Sequence, residues 1–381
     1  KSRQPVTFFA NHRITLRMRA AVYRSFSGPI TIESLPTPKA PPDGVVIQVM
    51  ATGVCRSDWH GWRGHDGDIK EHGLPFVPGH EVSGIIVQVG SRVTKFKEGD
   101  RVAVPFILSC GECGMCAHRR RPTICERQQQ PGFTMMGSFA EFLALPRADL
   151  NLSLIPEGVS FVEAASLGCR FTTAYRAVVQ QGGLGLDTNN NNVEILAVFG
   201  CGGLGLSCIM IAAAYGAKKI IAVDVSDKTL EKSREVGATN IINAKKENVR
   251  QRLMEITNGS GADLCIDAAG FKATCEDSIH CTRRGGRMVQ VGLPIGGQNP
   301  VVPMGMVAGK ELEIVGSHGC AAEDMPAILS LVKNGKLDPK KLIKSEVSLK
   351  EGAKALMDMD HGSPTGMVMI TRFSDVPRCR Y

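Results

Sequence analysis

Val198-Phe199-Gly200-Cys201-Gly202-Gly203-Leu204-Gly205 is the stretch on which the fold turns. It sets G-x-G-x-x-G between an apolar strand-like run, Glu194 to Phe199, and a helical run, Leu204 to Tyr215, that stops at Gly216. Gly200 turns the chain, Gly202 lets backbone approach a pyrophosphate, and Gly205 lets strand and helix pack closely. Gly203 and Leu204 complete the turn, whose free N–H groups and positive dipole end favour phosphate. Asp224 ends the next strand, nineteen residues past Gly205, where a carboxylate accepts hydrogen bonds from an adenosine ribose. An acid there repels a 2′-phosphate, so the pattern favours NAD over NADP. A structural glycine turn with a surface Asp is the plain alternative, and the ordered strand, helix and acid argue against it.

Beyond that stretch, strand and helix alternate at intervals of about 20 to 25 residues. Lys219 to Asp224, Asn240 to Asn243, Asp263 to Asp267, Arg287 to Val291 and Glu311 to Gly316 are the further strands. The helices are read as amphipathic, including Asp227 to Val236, which ends at Gly237. Six strands in this alternation predict an α/β fold with a doubly wound parallel sheet. Upstream, residues 18 to 165 hold short β-rich runs: Ala20 to Tyr23, Val45 to Ala51, Val82 to Val89, Arg101 to Phe106 and Phe139 to Leu145. Turn clusters such as Pro41-Pro42-Asp43-Gly44 separate them, so this part reads as a compact all-β unit. Asn189 to Asn192 is an exposed polar loop, and the segment after 320, with Pro339 and Pro364, is too short for a domain and has to pack onto one already built.

The chain has 381 residues, 43% hydrophobic and 22% charged, which is the composition of a globular protein with room for two domains. No run approaches the roughly 20 apolar residues of a membrane span. Of the net charge of +8, six units (Lys1, Arg3, Arg13, Arg17, Arg19 and Arg24) precede the first acid, Glu33, and leave +2 on the body. A nearly neutral body argues against nucleic acid as partner, and no membrane partner is expected. Residues 1–17 are Arg-rich and acid-free, which fits a targeting peptide or a translated upstream remnant. The expected compartment is accordingly the cytoplasm or the mitochondrial matrix. Thirteen cysteines without a secretory leader argue against a disulfide framework.

Cys110, Cys113, Cys116 and Cys125 fall within sixteen residues and offer four thiolates on one loop, enough to close a tetrahedron around Zn²⁺. An iron–sulfur cluster is the chemical rival. Arg119, Arg120 and Arg121 on the same loop offset part of the resulting charge. A closed site of this kind stabilises a lobe and does no chemistry. Cys201, Cys208, Cys265, Cys275, Cys281, Cys320 and Cys379 read as small core hydrophobes. Cys55, His80 and Cys169 each lie in a turn beside a β-rich run or at the opening of the second unit, and spacing alone does not join them.

Taken in order, Cys-Arg-Ser-Asp-Trp-His-Gly-Trp at 55–62, Gly-His-Glu at 79–81, the four-cysteine loop, Gly-Cys-Arg-Phe-Thr-Thr-Ala-Tyr at 168–175 and Gly-Cys-Gly-Gly-Leu-Gly at 200–205 resemble the zinc-containing medium-chain alcohol dehydrogenase family. The resemblance runs from Met18 to about residue 372 and implies two zinc ions per chain and NAD. It implies a catalytic zinc on Cys55, His80 and Cys169 with a water or substrate oxygen in the fourth place. Two thiolates and a neutral imidazole leave such an ion Lewis-acidic enough to bring bound water toward a pKa of about 7. By the same resemblance Ser57 takes the alcohol proton and passes it through the ribose to His60, Asp58 orients His80, and Glu81 is the acid behind the zinc. Arg56 faces the pyrophosphate, Thr173 abuts the nicotinamide, and Val291, Gly292 and Leu293 receive its carboxamide. Trp62, Phe106 and Trp59 stand where relatives shape the alcohol pocket, with core packing as the plain alternative.

The family also implies a GroES-like β-barrel made of 18–168 and 318–381, a Rossmann domain over 169–317 and an extension at 1–17. Three departures stand out: eight residues between Cys116 and Cys125 where seven are usual, the Asn-rich insert, and the extension. The longer insertion of dimeric animal members after the cysteine loop is missing, which points to the homotetrameric microbial branch. The expected activity is hydride transfer between small alcohols and NAD, giving aldehydes or ketones. A polyol, amino-alcohol or formaldehyde-type dehydrogenase of the same family is the alternative, and a zinc-stabilised nucleic-acid binder is opposed by His80 and Cys169.

Overall fold

The central strands of the dinucleotide unit, Ile195–Phe199, Lys219–Asp224 and Ala262–Asp267, are short runs with apolar middles, as a sheet covered on both faces requires. A computed structural model describes residues 17–185, 193–294, 299–362 and 366–374. The extension up to residue 16, the Asn189 to Asn192 loop, Pro364 and Cys379 lie outside these residues. β1 (Arg17–Tyr23) and β2 (Ile30–Pro36) form an antiparallel pair. β3 (Val45–Val54), β4 (Glu81–Val89), β5 (Arg101–Val104), β6 (Phe142–Leu145) and β7 (Ser153–Leu154) form most of a seven-stranded sheet. β8 (Ile195–Phe199), β9 (Lys219–Asp224), β10 (Asn240–Asn243), β11 (Ala262–Asp267), β12 (Thr282–Gln290) and β13 (Glu313–Gly316) form the second sheet, in the order β10-β9-β8-β11-β12-β13. All its pairings are parallel, so the α/β expectation holds. The strand order reverses between β8 and β11, and ligand crevices form at such a switch point.

After β13 the chain returns to the first lobe. β14 (Ile343–Ser348) pairs with β15 (Met367–Arg372), and β15 lies antiparallel on β3 with Val368 opposite Val54. The segment beyond 320 thus packs on the lobe already built. Between the lobes runs a helical stretch from Phe161 to Gln181, with a π-helical turn at Leu167–Phe171. One core cluster joins the lobes, combining Ala51 and Ala103 with Phe171, Val198 and Ile266, while Phe199, Ile221 and Leu253 pack on the opposite face of the parallel sheet. No described helix is long and apolar enough to cross a membrane.

Several boundaries differ from expectation for local reasons. The helix Gly203–Ala214 is not amphipathic: Gly205 through Ala212 are all buried, because it lies between the sheet and the inter-lobe stretch. β5 stops at Val104 because Pro105 has no N–H to donate, and the N–H of Phe106 goes instead to the Gly168 carbonyl at 3.2 Å. Phe139 and Ala140 bond to β1 rather than β3, so β6 starts only at Phe142. β12 starts at Thr282 and ends at Gln290, and the Val291 and Gly292 N–H groups turn to the Asp267 carbonyl at 3.0 and 2.9 Å. β13 begins two residues later than expected, at Glu313.

Candidate metal and dinucleotide sites

The register of two strands explains how Cys55 meets His80. β3 ends one residue before Cys55, β4 begins one residue after His80, and the antiparallel pairing sets Gly53 opposite Glu81. Both residues therefore leave the sheet at one corner. Cys169 arrives from the π-helical turn, a local irregularity of the kind often found at functional sites. Ligand atoms of Cys55, His80, Cys169 and Glu81 all lie within 4.8 Å of one another. Spacing alone did not join these residues, and the tertiary structure does.

Asp58 organises this corner from the first turn of helix Arg56–Trp62. Its carboxylate accepts from the Cys55 N–H at 3.0 Å and the Gly79 N–H at 3.0 Å, and it contacts His80 Nδ1 at 2.8 Å. That leaves His80 Nε2 buried with no hydrogen-bond partner, aimed at the sulfurs. An orphaned imidazole nitrogen costs free energy unless something occupies its lone pair, and a metal ion beside two thiols does so. The residues fit zinc. The hydrogen bond from Cys169 drives the Cys55 thiol well below its ordinary value against burial, with Arg170 and His80 helping. Burial pushes the Glu81 carboxyl up to about 8, against the pull of Arg170.

The four sulfurs of Cys110, Cys113, Cys116 and Cys125 also lie within 4.8 Å of one another. Cys113 Sγ is 3.5 Å from Cys116 Sγ and 3.8 Å from Cys125 Sγ. Sulfurs ~2.3 Å from a central zinc at tetrahedral corners stand about 3.8 Å apart, so the set suits that ion. Backbone N–H groups of Glu112 and Cys113 donate to Cys110 Sγ at 3.4 and 3.3 Å, and those of Cys110 and Arg127 donate to Cys125 Sγ at 3.3 Å each. Desolvation raises the Cys110 thiol, but these N–H groups and its sulfur neighbours outweigh it and bring it down to about 6. Arg127 faces Cys110 and sets positive charge against these sulfurs, a neighbour the loop's run of Arg119, Arg120 and Arg121, all exposed, did not point to. The described cysteines outside the two clusters are buried: Cys201, Cys208, Cys265, Cys275, Cys281 and Cys320.

At the switch point Gly200 has φ +85°, and a Cβ there would lie 2.5 Å from Ala269 Cβ. A Cβ on Gly205 would run into the Gly200 carbonyl oxygen, so helix and strand approach closely only with glycine. Gly202 is the N-cap of the helix, Gly203 and Leu204 open it, and a Cβ on Gly202 would meet nothing within 4 Å, leaving that side of the turn open. Asp224 accepts from the N–H groups of Cys201 at 2.7 Å, Val225 at 2.7 Å and Ser226 at 2.9 Å. It therefore braces the glycine turn as well as ending β9, a contact that motif spacing does not reveal. Leu293, just past β12, is 68% exposed.

The other expected residues fall around the metal corner. Ser57 and His60 lie three apart on helix Arg56–Trp62, and His60 Nδ1 is 3.0 Å from His65 Nδ1. The Arg56 guanidinium rests 3.5 Å from the Trp59 ring centroid and donates to the Met359 carbonyl at 2.7 Å. Trp59 donates to Asp360 at 2.7 Å. Trp62 packs in the β-rich core, with its indole N–H on the Gly28 carbonyl at 2.7 Å. The Phe106 ring centroid is 6.0 Å from that of His80, and Thr173 follows Cys169 by one helical turn. Phe133, 5.1 Å from the His80 ring, His318 against Phe106, and Arg170 beside Glu81 were not singled out in the sequence. Only Arg170, next to a candidate ligand, carried a sequence signal.

Residues 41–157 match the family model for the alcohol dehydrogenase GroES-like domain, and residues 203–334 match that for zinc-binding dehydrogenase. An alcohol dehydrogenase of Geobacillus stearothermophilus is 34% identical over 84% of this chain and 90% of its own length. A sorbitol dehydrogenase of Bacillus subtilis is 33% identical over 91% of this chain and 94% of its own. The solved alcohol dehydrogenase TADH from Thermus sp. ATN1 superposes with a TM-score of 0.84 at 30% identity, covering 93% of this chain and all of that one. With the metal corner, the cysteine loop and the dinucleotide turn all in place, the chain belongs to the zinc-containing medium-chain alcohol dehydrogenase family and is a zinc-dependent, NAD-linked oxidoreductase of alcohols.

Proposed function

We propose that the reaction takes place at the corner formed by Cys55, His80 and Cys169, on small alcohols that become aldehydes or ketones. The observation that carries this reading is the buried, unpartnered His80 Nε2 facing two thiols. Zinc held there supplies a Lewis acid for the substrate oxygen, and NAD supplies the hydride acceptor. Asp58 fixes the His80 ring so that Nε2 points at the metal position. Ser57 takes the substrate proton as it passes its own through the cofactor ribose to His60, which lies one helical turn away, is paired with His65, and delivers the proton to solvent. Phe106, whose ring centroid stands 6.0 Å from that of His80, sets the width of the alcohol pocket. Thr173 flanks the nicotinamide, Val291, Gly292 and Leu293 take its carboxamide, and Arg56 turns from Trp59 toward the pyrophosphate. Gly200, Gly202, Gly203, Leu204 and Gly205 cradle the phosphates, and Asp224 takes the ribose. Cys110, Cys113, Cys116 and Cys125 hold the structural zinc.

We divide the chain into a catalytic lobe of 18–168 with 318–381 and a dinucleotide lobe of 169–317. β13 is an edge strand of its sheet with Ile314 38% exposed, and Val301 and Met304, shortly before it in the chain, are 64% and 65% exposed; these apolar side chains support self-association, and the homotetramer is the assembly the family resemblance implies. Both metal clusters need reduced thiols, which suits the cytoplasm or the mitochondrial matrix. The test is elemental analysis paired with a scan of alcohols and polyols that follows NADH absorbance. Two zincs per chain and turnover that requires them are expected; full activity in metal-free protein would overturn the reading.

A further inference from the structure

Arg170 follows Cys169 and reaches into three structures at once. Its Nε stands 3.3 Å from Glu81 Oε1, with the Arg170 side chain 12% exposed and Glu81 wholly buried. Its Nη2 donates to the carbonyl of Val54, the residue before Cys55, at 2.9 Å. A Cβ built on Gly203 would lie 3.0 Å from Arg170 Cδ and 3.2 Å from Nε, so the bare first turn of the dinucleotide helix makes room for this side chain. Neither Glu81 oxygen has a hydrogen-bond partner, and Arg170 is its one ion-pair partner among the described residues. The opposite side of the carboxylate rests against Gly53, where a Cβ would run into Glu81 Oε2.

Glu81 is also near enough to act as a ligand, since its carboxylate belongs to the same tight group as Cys55, His80 and Cys169. Two thiolates, an imidazole and a carboxylate make a complete tetrahedral set, and a zinc site closed in that way has no place for a substrate. Two thiolates and one carboxylate also exceed the charge of a divalent ion by one, which a single guanidinium offsets. We propose that Arg170 is a positioning residue that holds Glu81 off the metal, keeping the fourth place for the substrate, and that through Gly203 it ties this hold to the dinucleotide turn. The proposal rests on the assignment of Cys55, His80 and Cys169 as the metal triad.

The test compares Arg170→Met, Arg170→Lys, Glu81→Gln and the double variant Arg170→Met with Glu81→Gln, each as full-length protein. Four quantities are measured: zinc content, NADH dissociation constant by fluorescence, the visible spectrum after cobalt substitution, and kcat. For Arg170→Met the expected result is two zincs retained, an altered cobalt spectrum, an NADH constant raised several-fold and kcat down by roughly tenfold or more. Arg170→Lys recovers part of kcat, and removing the unopposed carboxylate in the double variant returns both the spectrum and kcat toward the parent. An unchanged spectrum with kcat within about twofold of the parent, or a double variant no better than Arg170→Met, overturns the proposal. If Arg170→Met does not fold, Arg170→Lys and Glu81→Gln decide: a weakened hold on a retained carboxylate alters the spectrum in the first, and its absence there overturns the proposal. Cobalt bound with parental thiolate bands in Cys55→Ser would instead remove the triad assignment, independently of Arg170.

Discussion

The Asp224 carboxylate is held by three backbone N–H groups, from Cys201, Val225 and Ser226. Held this way it cannot swing aside for a 2′-phosphate. Asp224→Ala removes the repulsion and a hydrogen-bond acceptor worth ~1.5–3 kcal/mol to a charged group, so the ratio of kcat/KM for NADP over NAD is expected to rise roughly ten- to hundredfold. Steady-state kinetics with both cofactors checks this, and unchanged selectivity counts against the ribose assignment. His60 offers a pH test. Burial, followed by Arg56 and His65, lowers its pKa from 6.5, so the ring stays neutral to more acid pH than an ordinary histidine. The acid limb of kcat/KM that belongs to it is therefore expected below pH 6.5. His60→Gln is expected to abolish that limb and lower kcat roughly tenfold or more. A parent profile with the limb above that range, or a variant profile identical to the parent's, contradicts the relay.

The two metal clusters are built on different kinds of element, and they should fail differently. Cys55 and His80 sit at the ends of β3 and β4, whose pairing holds the corner whether or not both ligands are present. The cysteine loop between β5 and β6 has a core of little more than its own sulfurs, with Met115 packed against them. Cys55→Ser is expected to lower kcat by about a thousandfold or more with a melting temperature close to the parent's, since one of the three protein ligands is lost but the strands remain. Cys113→Ser is expected to lower the melting temperature first, by roughly 2–4 °C for each kcal/mol lost in a lobe of this size. Equal melting temperatures in the two variants would undo this division of labour. Element boundaries were harder to read than element existence. Nothing in the local pattern shows that Phe139 and Ala140 bond to β1, or that the helix after Gly203 is buried all round, because both depend on what packs there.

The molecule is held together by a core that crosses from one lobe to the other. Phe171, wholly buried, lies in that crossing and two residues from Cys169. Phe171→Ala is expected to cost ~3–5 kcal/mol and to displace the turn that presents Cys169, so stability and kcat fall together. Leu253 is equally buried on the far face of the parallel sheet. Leu253→Ala is expected to cost ~2–5 kcal/mol while kcat and the KM for NAD stay within about twofold. Urea unfolding alongside kinetics separates the two, and a parallel loss of activity in both variants would show that activity follows global stability rather than the crossing.

Features whose parts are neighbours in the chain were legible without coordinates: the glycine turn with its flanking strand and helix, the acid one strand later, and the four-cysteine loop. Their chemistry is set within one or two turns of backbone, so residue type and spacing carry it. The corner where Cys55, His80 and Cys169 meet is of another kind, because spacing does not join three residues from separate elements spread over more than a hundred positions. Resemblance proposed that meeting; strand register, a π-helical turn and the return of β15 onto β3 produce it. Arg170 stands beside a candidate ligand in the sequence, but its role was beyond reach for the same reason, since its partners Glu81, Val54 and Gly203 come from three separate elements that only the packed lobes bring into contact.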